Sequence, residues 1–145
     1  MLCEGEGKPI TVTVTPGQAH ETTQATPLLD QVCIRGKTGR PRRHFERVAG
    51  DKGYDSRAVR RDLRRRGSVP VIPHRKQASG KYPPSARGFD KETYRRRNVI
   101  ERLIGRLKEY RRIATRYDKL ADSFRCFILL GFIRMWLKDL LSYRA

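Results

Sequence analysis

An α/β fold is predicted: a short mixed sheet flanked by helices, followed by long helices towards the C-terminal end. Three features of the sequence predict it. Short runs rich in β-branched residues, PITVTVT, RVAG and VPVIP, are bounded by glycine, proline or charged residues. Stretches with helical apolar spacing separate these runs and follow the last of them. The order that results (strand, helix, strand, helix, strand, long helix) is that of helices packed on a sheet. With 145 residues, 37% of them hydrophobic and 33% charged, the chain is long enough for a modest core and is read as one domain over residues 1–145.

Each element has its own reason. PITVTVT alternates and ends at Pro16-Gly17, as a strand closed by a turn does. CEGEGKP before it reads as a hairpin turn whose incoming strand is missing, since three residues stand before Glu4. The chain is thus expected to begin in mid-fold. HETTQATPLLDQVCI forms a helix with Leu28, Leu29 and Val32 on one side, and the basic loop RGKTGRPRRH follows. Val48 to Gly50 is a short buried strand running out into Asp51.

Ala58, Val59 and Leu63 place a helix over Ser56 to Arg66, with Arg60, Arg61, Arg64 and Arg65 on its outer face and Gly67 ending it. VPVIP is a strand stopped by Pro73. Residues 73–89 form a basic, proline-containing loop. At FDKETY, Asp90 caps a helix, Phe89 staples against Tyr94, and Glu92 complements the helix N-terminus. One long helix is predicted over about 91–116 and a second over about 122–143, with Trp136 and its phenylalanines in the core.

Charge narrows the function. Thirty-three Lys and Arg against 15 Asp and Glu give a formal charge of +18 and a pI near 10.8, which fits a polyanionic partner, nucleic acid. The basic runs favour arginine, whose planar fork suits phosphate oxygens. A ribosomal or nucleoid protein would show the same bias. Cys3, Cys33 and Cys126 lie too far apart for a CxxC pair and read as ordinary thiols, without zinc. The N-terminal residues lack the pattern of a signal peptide, and FILLGFI is far shorter than a membrane span. No membrane partner and a cytoplasmic, nucleoid-associated location are expected.

In a single helix turning about 100° per residue, Tyr94, Arg97, Glu101 and Lys108 share one stripe, while Val99, Ile100, Leu103, Ile104 and Leu107 form the face that enters the core. Gly105 leaves open space one turn beyond Glu101. Glu101 is then either a surface residue paired with Arg97, worth about 0.3–0.5 kcal/mol, or a ligand set in a basic rim. Asp51 is either a turn aspartate or a carboxylate at the carboxyl end of a strand, where α/β proteins bind ligands. Two such acids in a very basic protein suit metal-dependent phosphodiester chemistry, because magnesium prefers oxygen ligands and completes its shell with water and phosphate.

The spacing Y-x2-R-x3-E-x6-K, met by Tyr94, Arg97, Glu101 and Lys108, resembles the DDE transposases of bacterial insertion sequences, in the broad group of families four and five. VAGDKGYDS around Asp51, VPVIPHRK and LCEGEGKPITVTVTPGQAHE carry the likeness over nearly the whole chain. The resemblance implies an RNase H-like fold, here partial, with three acids holding two Mg²⁺ or Mn²⁺ ions for strand nicking and strand transfer. Asp51 is similar to the second Asp of that triad and Glu101 to the final Glu. Glu4 stands where family members carry the first Asp. The longer side chain would shift the metals, so the resemblance implies an activity that is reduced or absent.

Arg97 and Lys108 would position phosphates, Tyr94 would stack or hydrogen-bond at the helix start, and Arg60, Arg61, Arg64 and Arg65 would add non-specific affinity for DNA. The implied partners are element ends and target DNA, together with a second copy or an upstream-encoded part of the transposase, of which this chain would be the C-terminal part. Two other readings stay open: a basic DNA-binding protein without catalysis, and an inhibitor that poisons intact transposase.

Overall fold

The computed structural model describes residues 1–34 and 39–142. In chain order the elements are β1 (Leu2–Cys3), β2 (Pro9–Thr11), α1 (Glu21–Asp30), β3 (Arg47–Ala49), α2 (Arg57–Arg65), β4 (Val69–Val71), α3 (Lys91–Arg95), α4 (Asn98–Lys108), α5 (Arg111–Thr115) and α6 (Ala121–Ser142). Short 3-10 turns occupy Lys52–Tyr54 and Pro84–Ala86. The architecture is mixed α/β, and the chain packs as two compact units, Met1–Gln18 with Asn98–Ala145, and Ala19–Arg97.

In the first unit β1 and β2 pair antiparallel, Leu2 opposite Thr11 and Cys3 opposite Pro9. The incoming strand thought to be missing therefore contributes two paired residues. Gly7 makes the turn possible with φ +88°, a conformation that L side chains resist. Its own amide donates to the Glu4 carbonyl at 3.0 Å. The core of this unit is Val12, Leu103, Leu107, Ile128 and Phe132. Leu103 with Leu107, and Ile128 with Phe132, are i,i+4 pairs that set one face of α4 and one face of α6 inward. Gly131 lets α6 approach: a Cβ there would stand 3.0 Å from Leu107 Cδ2. Trp136 departs from its predicted core position, being 40% exposed. An indole N–H needs a partner when covered, and here it donates to the Pro9 carbonyl at 2.9 Å, latching α6 to the hairpin.

In the second unit β3 and β4 pair parallel, Arg47 with Val69, Val48 with Pro70 and Ala49 with Val71. α2 supplies the crossover that a parallel pair needs. Ser56 Oγ caps it by accepting from the Val59 N–H at 3.1 Å, and Gly67, at φ +80°, ends it as predicted. Val59 and Leu63 are buried from α2, Ala25 and Leu29 from α1, and Val32 just beyond α1. The two helices are pinned by Asp62, which accepts from Arg66 Nε at 2.9 Å, Arg65 at 2.6 Å and Thr26 at 3.1 Å, while Arg66 also reaches Asp30 at 2.6 Å. Of the basic loop after α1, residues 35–38 lie outside the described residues; beyond them Ile34 and Arg42 form an antiparallel bridge.

The predicted helix over about 91–116 is three helices. α3 opens as expected, with Asp90 accepting from the Thr93 N–H at 2.9 Å and the Phe89 and Tyr94 rings 5.3 Å apart. It closes at Arg95, where the Arg97 amide returns to the Tyr94 carbonyl in a 3-10 manner. Asn98 then starts α4, a residue that competes with helical hydrogen bonding rather than joining it. A second tight turn at Glu109 and Tyr110 separates α4 from α5, and Arg116, at φ +49°, closes α5. The last helix runs as predicted to within a residue at each end. Among the described residues no helix is long and apolar enough to cross a membrane.

Candidate active site

Asp51 follows Gly50, whose amide continues the β3–β4 ladder by donating to the Val71 carbonyl at 3.2 Å. The strand end thus delivers Asp51 in extended conformation, φ −66° and ψ 161°, at the start of the Lys52–Tyr54 turn. The carboxylate is exposed. Its Oδ1 accepts weakly from the Gly53 N–H at 3.4 Å, and its other oxygen takes no hydrogen bond among the described residues. Asp51 caps a turn, as one reading of the sequence held, and still presents an oxygen outward.

The second acid of the DKGYD block is placed quite differently. Asp55 is 12% exposed at its side chain, with Oδ1 2.8 Å from Arg60 Nε and Oδ2 accepting the Arg75 N–H at 2.5 Å. Arg60 also donates to the Ile72 and Pro73 carbonyls at 2.7 and 3.4 Å. Burial raises the Asp55 pKa, but the Arg75 amide, the Arg60 hydrogen bond and charge, and His74 outweigh it and hold the carboxyl below its ordinary value. Sequence reading passed over Asp55 and Arg75. The signal available was the second carboxylate itself, four residues after the first.

Glu101 and Lys108 lie on α4, exposed and two turns apart on one side of the helix. Nothing comes within 4 Å of the place a Cβ would occupy on Gly105, in keeping with the predicted opening there. Because the helix is interrupted at Arg96 and Arg97, the angular projection that set Tyr94 and Arg97 on the stripe of Glu101 does not apply across the break. Tyr94 and Arg97 instead meet each other, the guanidinium 5.5 Å from the ring centroid. Glu4 sits in the β1–β2 turn and is partly occupied by it: its Oε1 accepts from the Glu6 and Lys8 amides, each at 3.0 Å, leaving Oε2 without a hydrogen bond among the described residues.

The arginines of α2 divide. Arg60 is 7% exposed, with Nε and Nη2 engaged by Asp55 and two carbonyls, so the expectation that it faces DNA is corrected: its guanidinium is turned inward to a largely covered carboxylate. Arg65 is exposed but paired with Asp62. Arg61 and Arg64 are exposed, with no ion pair among the described residues. Arg64, with His74, Ile72 and Phe89, lines a cavity of about 230 Å³. Among the described residues no group of three His, Cys, Asp or Glu is placed to hold a metal ion. In kind, the donors Asp51, Glu4 and Glu101 fit a hard cation, since each offers carboxylate oxygen.

Comparison with known proteins gives a consistent answer. Residues 1–136 match the family model described as the transposase DDE domain. A Burkholderia cepacia protein named as a transposase for insertion sequence element IS402 is 33% identical over 132 residues, 90% of this chain and 58% of that protein. A Brucella ovis protein named as a transposase for insertion sequence element IS6501 is 29% identical over 136 residues, 91% of each. The chain thus spans little more than half the length of the first relative. No solved structure matches.

Proposed function

The chain belongs to the transposase DDE domain family, and from that premise we propose that it is the catalytic part of an insertion-element transposase that nicks DNA and transfers the cut strand. The observation that carries this reading is Asp51, a carboxylate exposed at the carboxyl end of a parallel strand with one oxygen uncommitted, inside the matched residues. We read residues 1–145 as a single catalytic domain of RNase H-like type, in the cytoplasm at the nucleoid.

Asp51, Glu101 and Glu4 would hold divalent metal, Mg²⁺ or Mn²⁺. Two such ions, when bound, supply an activated oxygen nucleophile and stabilise the leaving oxygen of an in-line displacement. The chain's own groups do the rest. Gly50 brings the Asp51 backbone to the end of the sheet, and the Gly53 amide orients its carboxylate. Lys108, Arg61 and Arg64 are exposed cations suited to phosphate, which fixes register without reading bases. Arg97, stacked on Tyr94, offers a guanidinium already ordered for the same purpose.

The test is cleavage of element-end DNA with Mg²⁺ or Mn²⁺. Glu101→Gln and Asp51→Asn should abolish nicking while leaving DNA binding nearly intact; undiminished cleavage in either variant overturns the assignment. Glu4 favours a second reading, DNA binding without catalysis. One of its oxygens is held by two backbone amides, and it stands where the family's first Asp is expected. That reading predicts salt-sensitive DNA affinity with no response to divalent metal.

A further inference from the structure

Two side chains that the reaction does not call for converge behind Asp51. Arg75, just beyond β4, turns back on the loop that Asp51 opens. Its Nε donates to the Lys52 carbonyl at 3.1 Å and its Nη2 to the Gly53 carbonyl at 3.3 Å. Its backbone amide is held by Asp55 Oδ2. Asp55 in turn takes Arg60 on its other oxygen, and Arg60 fixes the Ile72 and Pro73 carbonyls at the end of β4. His74 Nδ1 stands 3.6 Å from Asp55 Oδ1. One largely covered carboxylate therefore joins the loop after β3 to the chain after β4, where the ladder between the strands has ended.

We propose that Asp55 and Arg75 are positioning residues for Asp51, clamping the Lys52-Gly53 turn so that the Asp51 carboxylate keeps one orientation at the strand end. The role rests on Asp51 being a ligand, as above. Within the turn the Tyr54 amide donates to the Asp51 carbonyl at 3.0 Å and the Asp55 amide to the Lys52 carbonyl at 3.2 Å, and the side chain of Arg75 adds a restraint from outside it. None of Lys52, Gly53 and Tyr54 is buried, and the Gly53 amide bond to Asp51 is long, at 3.4 Å. In a turn with no buried residue, external hydrogen bonds of this kind raise the free energy of local opening. The partners that orient a metal's ligands matter nearly as much as the ligands, through orientation rather than contact. The two acids of DKGYD thus have distinct duties: Asp51 faces outward, and Asp55 is neutralised by Arg60 within the protein.

Arg75→Ala removes only the two carbonyl contacts, at an exposed site, so folding should be retained. Asp55→Asn tests the carboxylate. In each, amide exchange at Gly53, Tyr54 and Asp55 should quicken about tenfold, while α2 keeps its protection in Arg75→Ala. Arg75→Lys, which keeps a donor, should fall between Arg75→Ala and the parent. In a titration with Mn²⁺ alone, the concentration that half-broadens the NMR signals around residue 51 should rise roughly tenfold in Arg75→Ala. Unchanged exchange or an unchanged Mn²⁺ response in Arg75→Ala overturns the clamp. Asp51→Asn separates the two ideas. If Mn²⁺ broadening at residue 51 survives in it, the reading of Asp51 as ligand fails, whatever the exchange rates show, and the positioning role falls with it.

Discussion

At the scale of single residues, the two aspartates of DKGYD show how far spacing reaches. The short apolar run VAG and the polar turn after it were enough to place Asp51 at a strand end. Which of the two acids would be buried was not legible, because the answer depends on Arg60 and Arg75, residues brought in from other elements. Gly50 is a similar case: a Cβ there would lie 3.3 Å from Ile72 Cγ1, an approach set by the parallel pairing. Gly50→Ala should cost about 1 kcal/mol, read as a lower urea midpoint with unchanged slope. Asp62 gives a prediction about pH. Burial raises its pKa, but hydrogen bonds from Arg66, Arg65 and Thr26 and the charge of Arg66 prevail and leave it below the ordinary 3.8. A carboxyl so depressed stabilises the fold fully above that ordinary value, and the contribution is lost as pH falls through the folded-state pKa. Thermal stability should therefore drop on acidification below about pH 4. In Asp62→Asn the drop should be shallower, on a lower plateau at neutral pH.

At the scale of elements, beginnings were easier to read than interruptions. Ser56, Asp90 and Gly67 act at short range, through a side-chain oxygen or a positive φ, and their effects appear where the sequence puts them. The break at Arg96–Arg97 is a local tight turn ahead of Asn98, whereas the break at Glu109–Tyr110 accompanies packing. α5 must turn away from α4 for Ile113 to meet the same part of α6 as Leu107, and both flank Gly131. Periodicity alone continues a helix through any run of arginines, so it extended one helix where three exist. The caps make Ser56→Ala worth about 1 kcal/mol of stability. The packing makes Leu103→Ala, at a side chain with no exposure, worth about 2–5 kcal/mol. A denaturant series on both variants checks the order. Equal losses would mean that Leu103 does not anchor the α4 core face.

For the molecule as a whole, charge was the most legible property and the one that needed the structure most. A surplus of 18 positive charges fits a polyanionic partner but does not say which arginines would face it. Arg60, Arg65, Arg66 and Arg112 are each closed against an aspartate, whereas Arg61 and Arg64 on the same helix as Arg60 are not. Counterion release turns that division into a measurement. Each phosphate neutralised adds about 0.9 to the slope of log affinity against log salt, so a protein with several free cations loses roughly a thousandfold or more in DNA affinity between about 50 and 200 mM salt. Arg61→Ala and Arg64→Ala should each flatten that slope by up to about one phosphate's share without altering the fold. Arg60→Ala should leave the slope unchanged and lower stability instead, because it strands the Asp55 carboxylate without its cation. Fluorescence anisotropy over a salt series, with a melting curve for each variant, distinguishes the two classes. A flattened slope in Arg60→Ala would show that its guanidinium turns outward to DNA and that the inward pairing with Asp55 does not hold in the complex.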